Sequence, residues 1–385
     1  MSATKRIRVQ AISLALTVPA AFADEASAQA STTTSYEVAA PLRARDGAAL
    51  SVPGHAAVRA VDWDQDGDVD LLVGGGDGQI WLVENRPTKG TAGMALDLPR
   101  ALRAGARERW GTGYTGALLA DVTGDRLPDL LVAHSGDRLT IHTNRGERGA
   151  PAFGEDDLNV QLQQGCQGRF DVVDWDGDGL LDVVTGAFSG RVAWLRNVGR
   201  RGAPEFGADQ PLGDIRIAYN AHPRVLDFDR DGRLDLLLGV NWGTFSLYRA
   251  TDDGLGRPGQ LRSAADGKAL NLRTENGDDT TPELVDVDGD GVLDLLSGGK
   301  NGQLFVLRGV GQRDRVANLL ELLESAGTPQ WFEEHEAERD AAFAAMGALQ
   351  ADLAAGLVRP RDRAKLFEAL APLPARFPEL SLIHI

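Results

Sequence analysis

Residues 62–75 read DWDQDGDVDLLVGG, placing aspartates at 62, 64, 66, 68 and 70 before the chain turns apolar. Five like charges in nine residues repel one another, so such a stretch asks for a compensating cation. The pattern returns as DVTGDRLPDLLVAH at 121–134, DWDGDGLLDVVTGA at 174–187, DFDRDGRLDLLLGV at 227–240 and DVDGDGVLDLLSGG at 286–299. The first aspartates of successive copies lie 53–59 residues apart. A period of that length marks a repeat architecture and decides the fold before any local reading.

Each unit has the same grammar. An apolar run such as AVRAVDW (57–63) enters the acidic loop, DLLVGG leaves it, a glycine-bearing turn follows, and a third run such as QIWLVEN (79–85) comes next. A weaker fourth run lies in the connections, as in DLNVQLQ (157–163) and DIRIAY (214–219). Four short strands in about fifty residues are the signature of a propeller blade. The segments PLRARDGAALSV (41–52) and QLRSAADGKALNL (260–272) share Leu-Arg followed by Asp-Gly-x-Ala-Leu. The last unit ends after its third run, so a spare strand within 36–52 fills the gap and closes the ring. Closure removes the sheet edges that would otherwise invite aggregation. The expectation is an all-β β-propeller of five blades, with six as the fallback, closed by an N-terminal strand and followed by a small C-terminal α-helical appendage. Aromatic residues recurring at matched places (Trp81, Trp194, Phe245 and Phe305 in third strands; Trp63, Trp175 and Phe228 in the loops) read as packing between blades.

In the form DxDxDGxxD, side chains at positions one, three, five and nine converge if the backbone bends at position six, where glycine tolerates positive φ. Hard oxygens in that number, with a carbonyl from position seven, suit the six to eight ligands of calcium better than the octahedron of magnesium. Soft metals lack the Cys or His they prefer. An EF-hand would place Glu at position twelve between helices, whereas these loops have Val73, Val132, Thr185, Leu238 and Ser297 there. The expected ligands are Asp62, Asp64, Asp66, Asp68 and Asp70 in loop one, and Asp121, Asp125 and Asp129 in loop two. Loop three offers Asp174, Asp176, Asp178 and Asp182 with the Leu180 carbonyl. Loop four offers Asp227, Asp229, Asp231 and Asp235 with that of Arg233, and loop five Asp286, Asp288, Asp290 and Asp294 with that of Val292. Loop two has Thr123 for an acid and Arg126 where glycine is wanted, so both its bend and its charge suffer. That leaves about four intact Ca2+ sites and one degenerate one. The bland alternative is a set of Asx-turns without metal.

The formal charge is −16, with 43% apolar and 25% charged residues, which describes a globular chain and argues against nucleic acid as a partner. Residues 1–23 carry Lys5, Arg6 and Arg8, an apolar run to Phe22 and Ala21-Phe22-Ala23 before Asp24, the layout of a signal peptide. Export to the periplasm, cell surface or exterior follows, with 24–35 as a flexible linker and 36–310 as the propeller. No later segment has the length to span a bilayer, and the single Cys166 precludes an internal disulfide. Nothing in QGCQGRF around Cys166 assembles a catalytic pair.

These repeats resemble the FG-GAP/VCBS family, the calcium-binding repeats also seen in integrin α-chain propellers. The resemblance covers about residues 36–310 and includes NRGERGAPAF (144–153) and NVGRRGAPEF (197–206). It implies calcium in the loops between first and second strands, opposite the ligand face. Ring size and function do not carry over, because family members include adhesion modules and polysaccharide lyases.

The face opposite the acidic loops gathers the segments that lead into each first strand and the turns between second and third strands. These differ between repeats, as functional loops do. Trp110, Tyr114, Tyr219 and Trp242, beside His55, His222, Arg169 and Lys300, offer aromatic faces for stacking and donors for hydroxyls or carboxylates. The expected function is a binding or adhesion module for a glycan or an extracellular protein. The alternative is a polysaccharide lyase or hydrolase using Arg169, His222 or Lys300 on an acidic glycan. Beyond Arg308 the composition turns to Ala, Leu, Glu and Arg with helical periodicity, giving an expected helical segment at 311–379. The last six residues, LSLIHI (380–385), match the in-frame translation of a transposase sequencing adapter, so they read as an artefact and the natural chain as cut near Glu379.

Overall fold

The computed structural model describes residues 35–310 apart from 88–92, 104–108, 112, 163–165, 167, 218, 229–231, 241, 273–279 and 289–291. The expected signal peptide, the helical segment 311–379 and the terminal hexapeptide lie outside the described residues.

The described residues form an all-β propeller of six sheets, five four-stranded and one three-stranded. The five larger sheets have as inner strands Ala57–Val61, Thr115–Ala120, Phe170–Val173, His222–Leu226 and Thr281–Val285. Each inner strand pairs antiparallel with the strand that leaves its acidic loop. The Asp-Leu-Leu grammar explains the stacking. Side chains alternate across a strand, and both faces of a propeller sheet are covered by neighbours, so adjacent residues must both be apolar. Thus Leu71 packs toward the fifth sheet while Leu72 packs toward the second. In the same way Leu130 and Leu131, Val183 and Val184, Leu236 and Leu237, and Leu295 and Leu296 divide between consecutive clusters. The recurrent aromatics fall in these same inter-sheet clusters, as in Trp81, Trp175, Phe245 and Phe305.

In four of the five larger sheets a glycine closes the apolar run after the ninth aspartate and serves close approach, while the second sheet has Ala133 there. A Cβ on Gly74 would lie 1.7 Å from the Thr115 carbonyl oxygen, and on Gly186 1.9 Å from that of Ala221. On Gly239 it would lie 2.3 Å from Thr280 O, and on Gly298 2.0 Å from Ala56 O. Each such contact joins one sheet to the lead-in of the next, and the Gly298–Ala56 contact joins the fifth sheet back to the first.

The expected N-terminal closure is present. Ala40–Pro41 pairs antiparallel with Leu304–Leu307 and supplies the outer strand of the fifth sheet. The sheet count is six, the fallback, and not the expected five. The extra sheet consists of three two-residue strands, Ser35–Tyr36 between Arg262–Ser263 and Gly309–Val310. It arises because the chain that closes the ring must cross the last connection and the end of the last third strand on its way in. Its Tyr36 is fully buried. No sixth acidic loop accompanies it.

The inner strands are joined by the residues three places before the first aspartate, Arg59, Asp171, Arg224 and Glu283, while the second sheet has Leu118 there, in the apolar cluster it shares with the third. Arg59 donates to the Phe170, Pro223 and Pro282 carbonyls at 2.7, 3.0 and 3.1 Å, so one guanidinium touches three sheets. Arg224 donates to Asp171 at 3.0 Å and to Glu283 at 3.1 Å. The layer holds two arginines and two acids and is neutral.

Candidate functional site

The ninth aspartate of each loop is a structural staple. Its Oδ2 accepts the backbone N–H of position two, from Trp63 (3.0 Å), Val122 (3.1 Å), Trp175 (3.1 Å), Phe228 (3.0 Å) and Val287 (2.9 Å). Its Oδ1 accepts the N–H fifteen residues onward, from Asn85 (2.7 Å), Asn144 (3.0 Å), Asn197 (2.7 Å), Ala250 (2.7 Å) and Gly309 (2.7 Å). One carboxylate thereby ties the loop to the end of the third strand. Burial pushes Asp70, Asp182 and Asp294 up to about 6 and moves Asp129 the same way. A carboxylate oxygen that accepts one N–H keeps a lone pair for a cation, so the staple and the ligand role are compatible.

Among the described residues, three loops bring carboxylate oxygens of three residues within 4.8 Å of one another: Asp62, Asp64 and Asp66; Asp174, Asp176 and Asp182; and Asp286, Asp288 and Asp294. Asp229, Asp231 and Asp290 lie outside the described residues. Loop one fits a cation best. The Oδ1 atoms of Asp62 and Asp68 are buried with no hydrogen-bond partner. Burial, then repulsion from Asp66, Asp70, Asp64 and Asp62, pushes Asp68 up to about 7, and burial raises Asp62 too. An orphaned, partly desolvated carboxylate oxygen is costly unless paired, and a hard divalent cation is the partner these oxygens suit.

The expected bend at position six is present, with Gly67, Gly179 and Gly232 at φ of 97°, 89° and 85°. Loop two keeps this bend too. Arg126 adopts φ 76° there, in place of glycine. The reason is local bonding: Asp121 accepts the N–H groups of Gly124 (2.6 Å), Asp125 (3.0 Å) and Arg126 (2.9 Å). Loop two therefore departs from the pattern in charge and not in backbone, and it is not among the converging triads.

The opposite face separates the eight expected ligand residues into groups. His55 and Tyr114 meet edge to face with ring centroids 4.0 Å apart, and the Lys300 carbonyl accepts the His55 N–H at 2.8 Å. Arg169 and His222 are buried together, Arg169 Nε donating to His222 Nε2 at 2.8 Å. They border an axial cavity of about 10 Å³ with Ala57, Gly116 and Thr281, room for about one water. Trp110 is only 6% exposed, its Nε1 donates to the Leu102 carbonyl at 2.8 Å, and it packs in the wall between the first two sheets. Its lead-in segment lies on the expected face, but the indole turns inward because the first two sheets leave an apolar slot beside Leu82 and Leu130.

Of the eight expected residues, Tyr219 and Trp242 are the aromatics that stand exposed, at 46% and 53%. Tyr219 has a companion outside the expected set: Phe188, 51% exposed, with ring centroids 5.2 Å away. The Asn220 N–H to Phe188 carbonyl bond (3.2 Å) fixes the pair across the third and fourth sheets. Phe188 occupies the turn between second and third strands of its sheet, as Trp242 does in the next, and that correspondence was its sequence signal. His55, Asn220 and Trp242 hold φ of 42°, 51° and 81°, a conformation that non-glycine residues rarely adopt and that clusters at functional sites. Cys166 is fully buried, and burial pushes its thiol up to about 11, the state of an inert structural cysteine.

Among known proteins, the FG-GAP-like repeat family matches at residues 62–132, 174–238 and 227–297. A search of curated sequences finds no match. Similar solved structures include an Agrocybe aegerita lectin described as recognising non-reducing terminal N-acetylglucosamine, 18% identical, with a TM-score of 0.35. That match covers 68% of this chain and 65% of the lectin. Two structures of BBS1N in complex with ARL6DN, soaked with lead and with mercury, are 13% and 14% identical, with TM-scores of 0.34 and 0.32. Each covers 72% of this chain and 97% of the other.

Proposed function

The chain belongs to the FG-GAP-like repeat family, and on that footing we propose that it is an exported, calcium-stabilised propeller that binds a glycan or an extracellular protein. The observation that carries the binding role is the exposed aromatic set Phe188, Tyr219 and Trp242 on the face away from the acidic loops. Aromatic faces stack on the apolar faces of sugar rings, and Tyr and Trp add a polar edge. We read the ring as five sheets around the axis. In support, the inner strands touch in the order first to fifth and back to the first, and five apolar clusters fill the five gaps. The three-stranded sheet is then the clasp of the ring.

Calcium would be held by Asp62, Asp64 and Asp66 in loop one and by the first, third and ninth aspartates of loops three and five, with loop four as a further site. When bound it supplies positive charge to carboxylates that otherwise repel. For a dissociation constant of roughly 0.1 mM in about 1 mM calcium, linkage contributes about 1.4 kcal/mol per site, or roughly 5–6 kcal/mol over four sites. That is comparable with the net stability of a domain.

The lyase reading needs one of Arg169, His222 and Lys300 beside a sugar carboxylate and would be favoured by their clustering around one cleft. Arg169 and His222 instead bury each other beside a cavity too small for a sugar ring, and Lys300 is exposed apart from them. The binding reading is tested on an array of neutral and acidic glycans with calcium-loaded protein. Binding that Tyr219→Ala and Trp242→Ala remove, with unfolding temperature unchanged, is the expected result. Binding indifferent to both substitutions would overturn the assignment of this face.

A further inference from the structure

The acidic loops are not equivalent, and the difference lies fourteen residues after each ninth aspartate, where the third strand ends. That position is Arg196 in the third sheet, Arg249 in the fourth and Arg308 in the fifth, but Thr143 in the second and Glu84 in the first. The staple bond to the neighbouring N–H holds this residue beside its loop. Arg196 uses Nε on Asp176 at 2.6 Å and Nη2 on Asp178 at 2.8 Å. Arg308 pairs with Asp288 and lies 3.7 Å from Asp294. Asp176 and Asp288 are both third-position members of the converging triads. In loop one the corresponding Glu84 faces away, bound to Arg100 at 2.9 Å and Arg86 at 3.3 Å. Among the described residues, no ion pair reaches the five aspartates of loop one.

We propose that Arg196 and Arg308 are tethered counter-cations that compete with calcium for the carboxylates of loops three and five, leaving loop one as the tightest and most calcium-dependent site. The inference rests on the calcium reading above. Arg196 spreads two nitrogens of its planar guanidinium fork over two carboxylates and Arg308 reaches two through Nη1, and being covalently attached each is always present at high local concentration. It neutralises part of the loop when calcium is absent, so these loops keep their shape without metal. Both arginines are partly exposed, so they can swing into solvent when calcium enters. Loop one has five aspartates and no such cation, and its two orphaned buried oxygens are the result.

The consequence is two classes of site. Calcium titration of the chelator-treated full chain by calorimetry resolves them, with thermal unfolding of the calcium-free form measured alongside. A positive charge about 5 Å from a divalent ion in high-dielectric surroundings weakens binding on the order of ten-fold. Arg196→Gln and Arg308→Gln are each expected to tighten one weak site by about that factor while lowering the calcium-free unfolding temperature. Arg196→Lys, which keeps the charge and loses the fork, is expected to fall between wild type and Arg196→Gln. A purely structural strut would lower stability in both states and leave affinity unchanged or weaker; that result, with wild type still binding calcium, would overturn the proposal. If wild type takes up no calcium at all, the calcium reading falls first and this inference with it.

Discussion

Glu283→Gln tests whether the axis is held by charge. Glu283 is 1% exposed and accepts from Arg224 Nε and Nη2 at 3.1 Å and from Arg59 Nη1 at 3.4 Å. Glutamine keeps the shape, removes the negative charge, and sets an amide N–H₂ against one of the guanidinium groups. The layer Arg59, Asp171, Arg224 and Glu283 then carries a net positive charge in a buried setting. Breaking one partner of a buried ion pair costs roughly 3–5 kcal/mol, because the remaining charge is left desolvated. For a chain of this size each kcal/mol moves the unfolding temperature by about 2 °C, so the expected fall is about 5–10 °C. Differential scanning calorimetry at saturating calcium isolates this effect from the loops. A fall under about 2 °C would refute the claim that the axial ion pairs hold neighbouring sheets together.

Three further outcomes are expected. Gly298→Ala places a methyl against the Ala56 carbonyl where the fifth sheet meets the first; overpacking against backbone costs about 1–3 kcal/mol or more, read as a lower denaturant midpoint, and an unchanged midpoint would show that the closing contact is loose. Cys166 is buried with a raised thiol, so a thiol reagent at pH 8 is expected to label it only on unfolding, at a rate that calcium slows; prompt labelling of native protein would contradict its placement. Asp68 stands near 7 in the folded calcium-free protein, above its ordinary value of 3.8. The folded state therefore holds the extra proton between about pH 4 and 7, and calcium-free stability falls as pH rises through that window. Calcium needs the deprotonated carboxylate, so its stabilising effect is expected to be larger at pH 8 than at pH 6; an effect independent of pH would exclude Asp68 from the site.

Much of the fold was legible because the repeat states its own rules. Adjacent apolar residues after each ninth aspartate, leucine pairs in four loops and Val183-Val184 in the third, require two covered faces, and the glycine that follows in four of the five requires a backbone close by. Closure was readable from the matching segments at 41–52 and 260–272. The short clasp was not, since two-residue strands carry no periodicity. The axial layer was missed although its signal was present: Arg59, Asp171, Arg224 and Glu283 interrupt apolar strands at one fixed distance from the loops. The ninth aspartates were readable as acids, but their bonds to N–H groups fifteen residues away depend on how three strands align. Trp110 shows the limit most plainly, because a lead-in segment on the right face can still turn its indole into the wall between sheets.

Calcium uptake by the acidic loops is measured by adding calcium to chelator-treated protein during thermal unfolding, with magnesium as the comparison and Asp64→Asn as the loop-one variant. A saturable rise of about 10 °C with calcium is expected, from roughly 5–6 kcal/mol over four sites, with little response to magnesium and a smaller rise in Asp64→Asn. An unfolding temperature unmoved by calcium up to several millimolar would contradict it and leave the loops as turns held by their own N–H bonds.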